Sequence, residues 1–171
     1  ELFYEDKKKY SYMFQNYAYI TRMRKFMKIR RDRVTVSERC ALTDKNVFAK
    51  MLTDDGYMNK MEQQMYEEWF DLFKQYNDVD LIIYIKTDAE ECKRRIGLRG
   101  REGEEIGLDY LDRLNTYHNN WLQHIHKDNI LVLDGNTNFN EQPEIFIQAI
   151  EDFIESRIPR EDRFKDMAVF C

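Results

Sequence analysis

Apolar residues recur along this chain at two periods, and the alternation between them sets out most of the elements. Met13, Tyr17, Ile20 and Met27 follow at steps of four, three and seven, one stripe of a long helix over about 10–31. Arg33-Val-Thr-Val-Ser37 is a short β-branched run, read as a strand that ends at Glu38-Arg39-Cys40. Thr43 is placed to cap a helix running to about 54, where Gly56 marks its stop. The stretch 58–76 reads as a further helix that carries Met61, Met65, Trp69, Leu72 and Phe73 inward. Val79 to Ile85 is almost continuously apolar, as in a strand covered on both faces. Thr87-x-x-Glu90 forms a capping box for a helix reaching about 98, and the glycine-rich, charged 97–107 reads as a loop. A helix over 108–126, a strand over 129–133 and a helix over 141–155 complete the pattern. Strands separated by helices predict an α/β layer with a parallel sheet. Residues 1–155 are therefore read as one domain, and 156–171, with Pro159 and alternating charge, as an irregular tail.

Composition narrows what such a layer can do. At 171 residues, 43% hydrophobic and 14% aromatic, the chain can bury a core. Charges interrupt every apolar run well before membrane-spanning length, and no apolar leader follows Glu1. Neither a membrane nor secretion is expected. A net charge of −5 argues against a nucleic-acid partner. Three cysteines without paired spacing argue against a disulfide framework and against a metal site, and His118, His124 and His126 lack the H-E-x-x-H pattern. An intracellular, reducing environment is the default. No two of the six glycines frame G-x-x-x-x-G-K-[ST], so these residues contain no Walker A phosphate loop.

Three groups of residues could carry chemistry. Glu38-Arg39 follows a strand, and in parallel sheets ligands collect beyond the carboxyl ends of strands. An arginine fork there can hold a phosphate while the glutamate orients it; the alternative is an exposed ion pair. Arg95 and Arg99 share a helix face and Arg101 follows, amid Gly97, Gly100 and Gly103. Such arginines can neutralise charge on a transferring phosphoryl group, or simply complement the helix dipole. Gln15 and Arg22 lie seven residues apart on one face beside Phe14, and Asp44 and Phe48 form an i, i+4 pair. An amide, a guanidinium, a carboxylate and aromatic rings can hold a nucleobase by edge and face; the same residues could equally be core aromatics with surface polar neighbours.

In order, Tyr4, Tyr10-Ser-Tyr-Met-Phe-Gln15, Arg22, Glu38-Arg39-Cys40-x-x-x-Asp44-x-x-x-Phe48, Glu67-Glu-Trp-Phe-Asp71, Leu98-Arg-Gly-Arg101, Glu104-Glu105, Leu108-Asp-Tyr-Leu111, His118 to Trp121 and Leu133-Asp134 resemble the cellular-type deoxyribonucleoside kinases, nearest the deoxycytidine and deoxyguanosine branch. The resemblance runs from residue 1 to about 155. It implies a P-loop kinase-type parallel sheet with flanking helices, here without the first strand, the phosphate loop and the second strand. It also implies transfer of the ATP γ-phosphate to the 5′-hydroxyl of a deoxynucleoside, with Mg²⁺, in a homodimer. By position, Tyr4 and Glu104 match the holders of the sugar 3′-hydroxyl. Gln15 and Asp44 match the base-edge readers with Arg22 beside Asp44, and Phe14 and Phe48 the aromatic walls. Glu38 and Arg39 match the pair next to the reacting 5′-oxygen. Arg95, Arg99 and Arg101 match the lid arginines over ATP, and Asn138 and Phe139 the loop against its adenine.

Two departures accompany the resemblance. Cys40 stands where the family has serine, and the lid is one residue shorter than usual, so that Glu104 rather than Glu105 takes the matched position. The phosphate loop and the catalytic base are expected upstream of Glu1, which makes this chain alone inactive by expectation and leaves a cytoplasmic or a mitochondrial address open. A non-catalytic nucleoside-binding or dimerising protein of the same descent is the competing reading. A nucleoside monophosphate kinase would keep the lid arginines but leave Gln15, Asp44 and Phe48 unexplained.

Overall fold

A computed structural model describes residues 2–29, 34–101, 106–158 and 168–170. They form two compact units, one from residues 2–79 with 168–170 and the other from residues 80–158.

In the first unit a short helix α1 (Leu2–Glu5) leads into α2 (Lys7–Phe26). Asp6 caps α2, its carboxylate accepting from the Lys9 amide at 3.0 Å. Strand β1 (Thr35–Ser37) follows. Next come α3 (Ala41–Thr43), a π-helical segment (Asp44–Ala49) and α4 (Lys50–Asp54), one after another. The cap is Cys40 rather than the expected Thr43, whose hydroxyl instead lies 3.4 Å from the Cys40 Sγ. Gly56 takes a left-handed turn (φ 72°) after α4, as its position predicts. Helix α5 (Lys60–Leu72) starts with a capping box, the Asn59 side chain accepting from the Glu62 amide while Glu62 accepts from that of Asn59.

The core here is Tyr19 and Met23 of α2, Ala41, Ala49 and Leu52 of the middle helices, Met58, and Tyr66 and Phe70 of α5. Asn77, itself buried, ties the end of α5 to this core: its amide donates to the Phe70 carbonyl (2.9 Å) and meets the Tyr19 hydroxyl (3.2 Å). The stripes read as inward-facing point outward instead. Met13, Tyr17, Ile20 and Met27 of the α2 region are exposed, and α2 buries Ser11, Gln15, Tyr19 and Met23. On α5, Met61, Met65, Trp69 and Leu72 are exposed, while Tyr66 and Phe70 are buried. Both helices are apolar on more than one face, so periodicity alone cannot name the inner one.

The second unit holds β2 (Ile82–Lys86) and β3 (Ile130–Asp134), parallel and in register from Ile82↔Ile130 to Lys86↔Asp134. Between them lie α6 (Ala89–Arg99) and α7 (Leu108–Leu122), a parallel crossover of the expected kind; α8 (Pro143–Arg157) follows β3. Pro143 opens α8, where its missing N–H costs nothing. Asp88, not Thr87, is the cap residue of α6, so the Thr87-x-x-Glu90 box does not form. The three expected strands are present. A fourth, β4 (Ala168–Phe170), pairs in parallel with β1 (Thr35↔Ala168 to Ser37↔Phe170), where an irregular tail was expected.

Candidate functional site

The first unit gathers several of the candidate residues around one arginine. Arg22 projects from the C-terminal half of α2, and Asp44 opens the π-helical segment. The guanidinium grips the carboxylate bidentately, Nε donating to Oδ2 at 2.5 Å and Nη2 to Oδ1 at 3.3 Å. The remaining nitrogen, Nη1, donates to the Glu38 carbonyl at 3.1 Å. One side chain thus holds both the helix carrying Asp44 and the turn after β1. Asp44 is only 3% exposed, and burial pushes its carboxyl above the usual carboxylate range against the pull of Arg22.

The turn itself is strained. Arg39 alone among the described non-glycine residues has a positive φ, 60°. Its guanidinium lies over the Phe48 ring at 4.7 Å, and the Ser37 hydroxyl donates to its carbonyl at 3.1 Å. The π-helical turn between Asp44 and Ala49 is a wide coil of the kind found at functional sites. A cavity of about 380 Å³ opens beside this turn, lined by Thr21, Arg22, Lys25, Ser37, Glu38 and Arg39 among others. Three cations face it against one carboxylate.

Other expected residues fall near this cluster without touching it. Gln15 is buried one helical face along α2, and Phe14, half-exposed, stacks on Phe3 with ring centroids 4.7 Å apart. Tyr4 lies in α1, and Glu104 lies outside the described residues.

In the second unit Arg95 is held by Glu91, Nε donating to Oε1 at 2.6 Å, and reaches the Thr137 carbonyl at 3.4 Å. Glu91 also takes two bonds from Arg94, and these, with Arg95, hold its carboxyl down at about 2. Arg99 ends α6 and Arg101 follows Gly100, both exposed. Asn138 donates to Glu141 at 2.7 Å and accepts from the Asn140 amide at 3.2 Å. Phe139 packs on Phe146 with centroids 4.1 Å apart.

Sequence reading passed over Glu91, Asp88 and Asn136. The signal available for them was the acidic first turn of α6 and the Asp134-Gly-Asn-Thr run directly after a strand. Among the described residues no group of three His, Cys, Asp or Glu could hold a metal ion.

A model of the deoxynucleoside kinase family matches residues 1–166. The chain belongs to that family. The deoxycytidine kinase of Bos taurus is 32% identical over 177 aligned residues, covering 91% of this chain and 68% of that protein. The Homo sapiens deoxycytidine kinase is 31% identical with the same coverage. The mitochondrial deoxyguanosine kinase of Xenopus laevis is 31% identical over 134 residues, 71% of this chain and 51% of its own length. Family membership accounts for the parallel strands with flanking helices, since the family has a P-loop kinase fold. Among the described residues no helix is long and apolar enough to cross a membrane.

Proposed function

We propose that these residues supply the acceptor pocket and the donor lid of a kinase that moves the γ-phosphate of ATP to the 5′-hydroxyl of a deoxynucleoside. Deoxycytidine or a purine deoxynucleoside is the acceptor. The observation that carries this reading is the buried Arg22–Asp44 pair and its link to the Glu38 carbonyl. An Asp44 carboxylate held by Arg22 accepts from an exocyclic amine, which cytosine and adenine present and thymine lacks. A site built on such buried polar groups rejects a base without the matching donor, because the carboxylate is left unpaired.

The remaining assignments follow the family by position. Gln15 reads the base edge, Phe14 and Phe48 wall the ring, and Tyr4 and Glu104 hold the 3′-hydroxyl. Glu38 and Arg39 sit at the reacting oxygen. Arg39, lying on Phe48 without substrate, would turn toward phosphate as its charge arrives. Arg95, Arg99 and Arg101 would close over the donor phosphates, with Asn138 and Phe139 against its adenine. ATP supplies the phosphoryl group. The described residues offer no ligand cluster for Mg²⁺, so none of these roles runs through the metal.

Phosphoryl transfer depends on positioning by a phosphate loop and its lysine, and on a base within reach of the acceptor hydroxyl. These 171 residues contain no such loop, so we expect no kinase activity from them alone. The test is competition kinetics on a polypeptide that joins them to a phosphate-loop segment. Deoxycytidine should exceed thymidine in kcat/KM, and Arg22→Met with Asp44→Ala should shift preference toward thymidine. A highest kcat/KM for thymidine in the unmodified enzyme would overturn the base assignment. Rapid phosphorylation by the 171 residues alone would overturn the inactivity.

The partner is a second copy of the chain. Met13, Tyr17 and Ile20 of α2 and Met65 and Trp69 of α5 are exposed apolar side chains, and Tyr12, Met13, Asn16, Tyr17, Ile20 and Trp69 line one groove. Contiguous exposed apolar surface of this kind marks an interaction site, and the competing reading of a dimerising, non-catalytic protein rests on the same face. Sedimentation should give a dimer, and Ile20→Asp with Trp69→Glu a folded monomer. A monomeric unmodified chain refutes the assignment.

A further inference from the structure

The loop after β3 is fastened to the start of α6 by contacts that the roles above do not use. Gly135 donates to the Lys86 carbonyl at 2.6 Å, extending the β2–β3 ladder past the strand ends. A Cβ at Gly135 would sit 2.0 Å from the Thr87 Oγ1 and 2.9 Å from the Lys86 carbonyl oxygen, so only glycine allows this approach. The next residue makes a reciprocal pair across 48 positions of sequence. The Asp88 amide donates to the Asn136 Oδ1 at 2.9 Å, and the Asn136 Nδ2 donates to the Asp88 Oδ2 at 3.0 Å. Asp88 is the cap residue of α6, yet its carboxylate makes no capping bond to its own helix and is turned to Asn136 instead. The Asn136 amide in turn donates to Asp134 at 2.9 Å. One residue further on, the Thr137 carbonyl receives Arg95 from the second turn of α6. Asn115 of α7 braces the same corner through the Thr87 carbonyl at 3.1 Å.

We infer that Asp88 and Asn136 are positioning residues for donor binding: they lock the loop bearing Asn138 and Phe139 to the helix bearing Arg95, so that both halves of the donor site are set together. The physical basis is preorganisation. A loop of six to eight residues between β3 and α8 would otherwise lose its freedom only when the nucleotide arrives, at a cost in affinity. Two fasteners, Asn136 on the cap residue and Thr137 on Arg95, remove that freedom beforehand and give loop and lid helix a shared position. This rests on the donor-site assignment proposed above.

The pair has a symmetry that supplies its own control. In Asn136→Asp two carboxylates face each other, and the lock opens. In Asp88→Asn with Asn136→Asp the amide and carboxylate change places, and both bonds can form again. The measurement is NMR on the 171-residue chain, with amide exchange at Asp88 and at 136–138, exchange of the Arg95 Nε–H, and shifts on titration with ATP. Asn136→Asp should speed exchange at all these positions at least tenfold and weaken ATP binding, read at Arg95 and Asn138, at least threefold. The double swap should restore both. Exchange within twofold of the unmodified chain overturns the proposal. So does a loosened loop with Arg95 unchanged, or a swap that restores nothing. Absence of any ATP-dependent shift at Arg95, Asn138 or Phe139 in the unmodified chain overturns the donor-site assignment itself. That failure is told apart from failure of the lock because the exchange rates are measured without ATP.

Discussion

Arg22→Met isolates the energetic role of the central ion pair. Methionine keeps the unbranched stem of the side chain and removes the guanidinium, leaving the Asp44 carboxylate 3% exposed with its bidentate partner gone. Breaking a buried pair from one side costs about 3–5 kcal/mol, because the remaining charge stays desolvated. The Glu38 carbonyl loses a charged donor as well, but it lies in an exposed turn where water can replace it. For a chain of this size the loss amounts to a fall of about 6–20 °C in Tm. Removing the other charge should return most of the loss, so Arg22→Met with Asp44→Leu is expected within about 1–2 kcal/mol of the unmodified protein, since an apolar pair of similar volume replaces an ion pair at little net cost.

The pH dependence has a definite sign. The folded Asp44 carboxyl already titrates above its unfolded value of 3.8, and losing Arg22 raises it further. Folding then takes up a proton, so the penalty of Arg22→Met shrinks as pH falls through the folded pKa toward 3.8. The assay is urea denaturation from pH 4 to 8 followed by Trp69 fluorescence in a Trp121→Phe background, since Trp69 reports on the first unit. A single variant within 1 kcal/mol of the unmodified protein at pH 7 would refute the reasoning. A double variant as unstable as the single would do the same.

Three further outcomes are expected. Gly135→Ala should destabilise the second unit by about 1–3 kcal/mol through overpacking against the Lys86 carbonyl; Gly97→Ala, where an added Cβ meets nothing within 4 Å in the body of α6, should instead gain about 0.5–1 kcal/mol, and paired melting curves compare the two. Glu91 titrates at about 2 in the folded chain against 4.5 unfolded, so its contribution is complete above pH 4.5 and is lost as pH falls toward 2; Glu91→Gln should flatten that acid limb, and an unchanged limb would show that Glu91 does not set it. Asn77→Ala removes the donor to the Phe70 carbonyl and the partner of the Tyr19 hydroxyl, both buried, and should cost about 1–3 kcal/mol in chemical denaturation.

The local elements and the family were legible in the residues themselves. β2 announces itself because a continuous apolar run bounded by Asp80 and Thr87 has no other use, and Gly56 and Pro143 punctuate helices through backbone constraints that act without any neighbour. The order of Gln15, Arg22, Glu38-Arg39, Asp44 and Phe48 carries the kinship for the same reason: each is a chemical type at a fixed place in the chain. Burial could not be read this way. Tyr19 and Met23 on one side of α2, and Met13, Tyr17 and Ile20 on the other, are equally apolar, and only packing against Tyr66 and Phe70 selects the first set. Cys40 displaced Thr43 as a cap, and Asp88 displaced Thr87, because the choice depends on where the preceding strand delivers the chain. The third bond of Arg22 to Glu38 and the Asp88–Asn136 lock join residues 16 and 48 positions apart. A hydrogen bond has no periodicity along the chain, so such contacts exist only once tertiary structure has brought the two segments within 3 Å or so of each other.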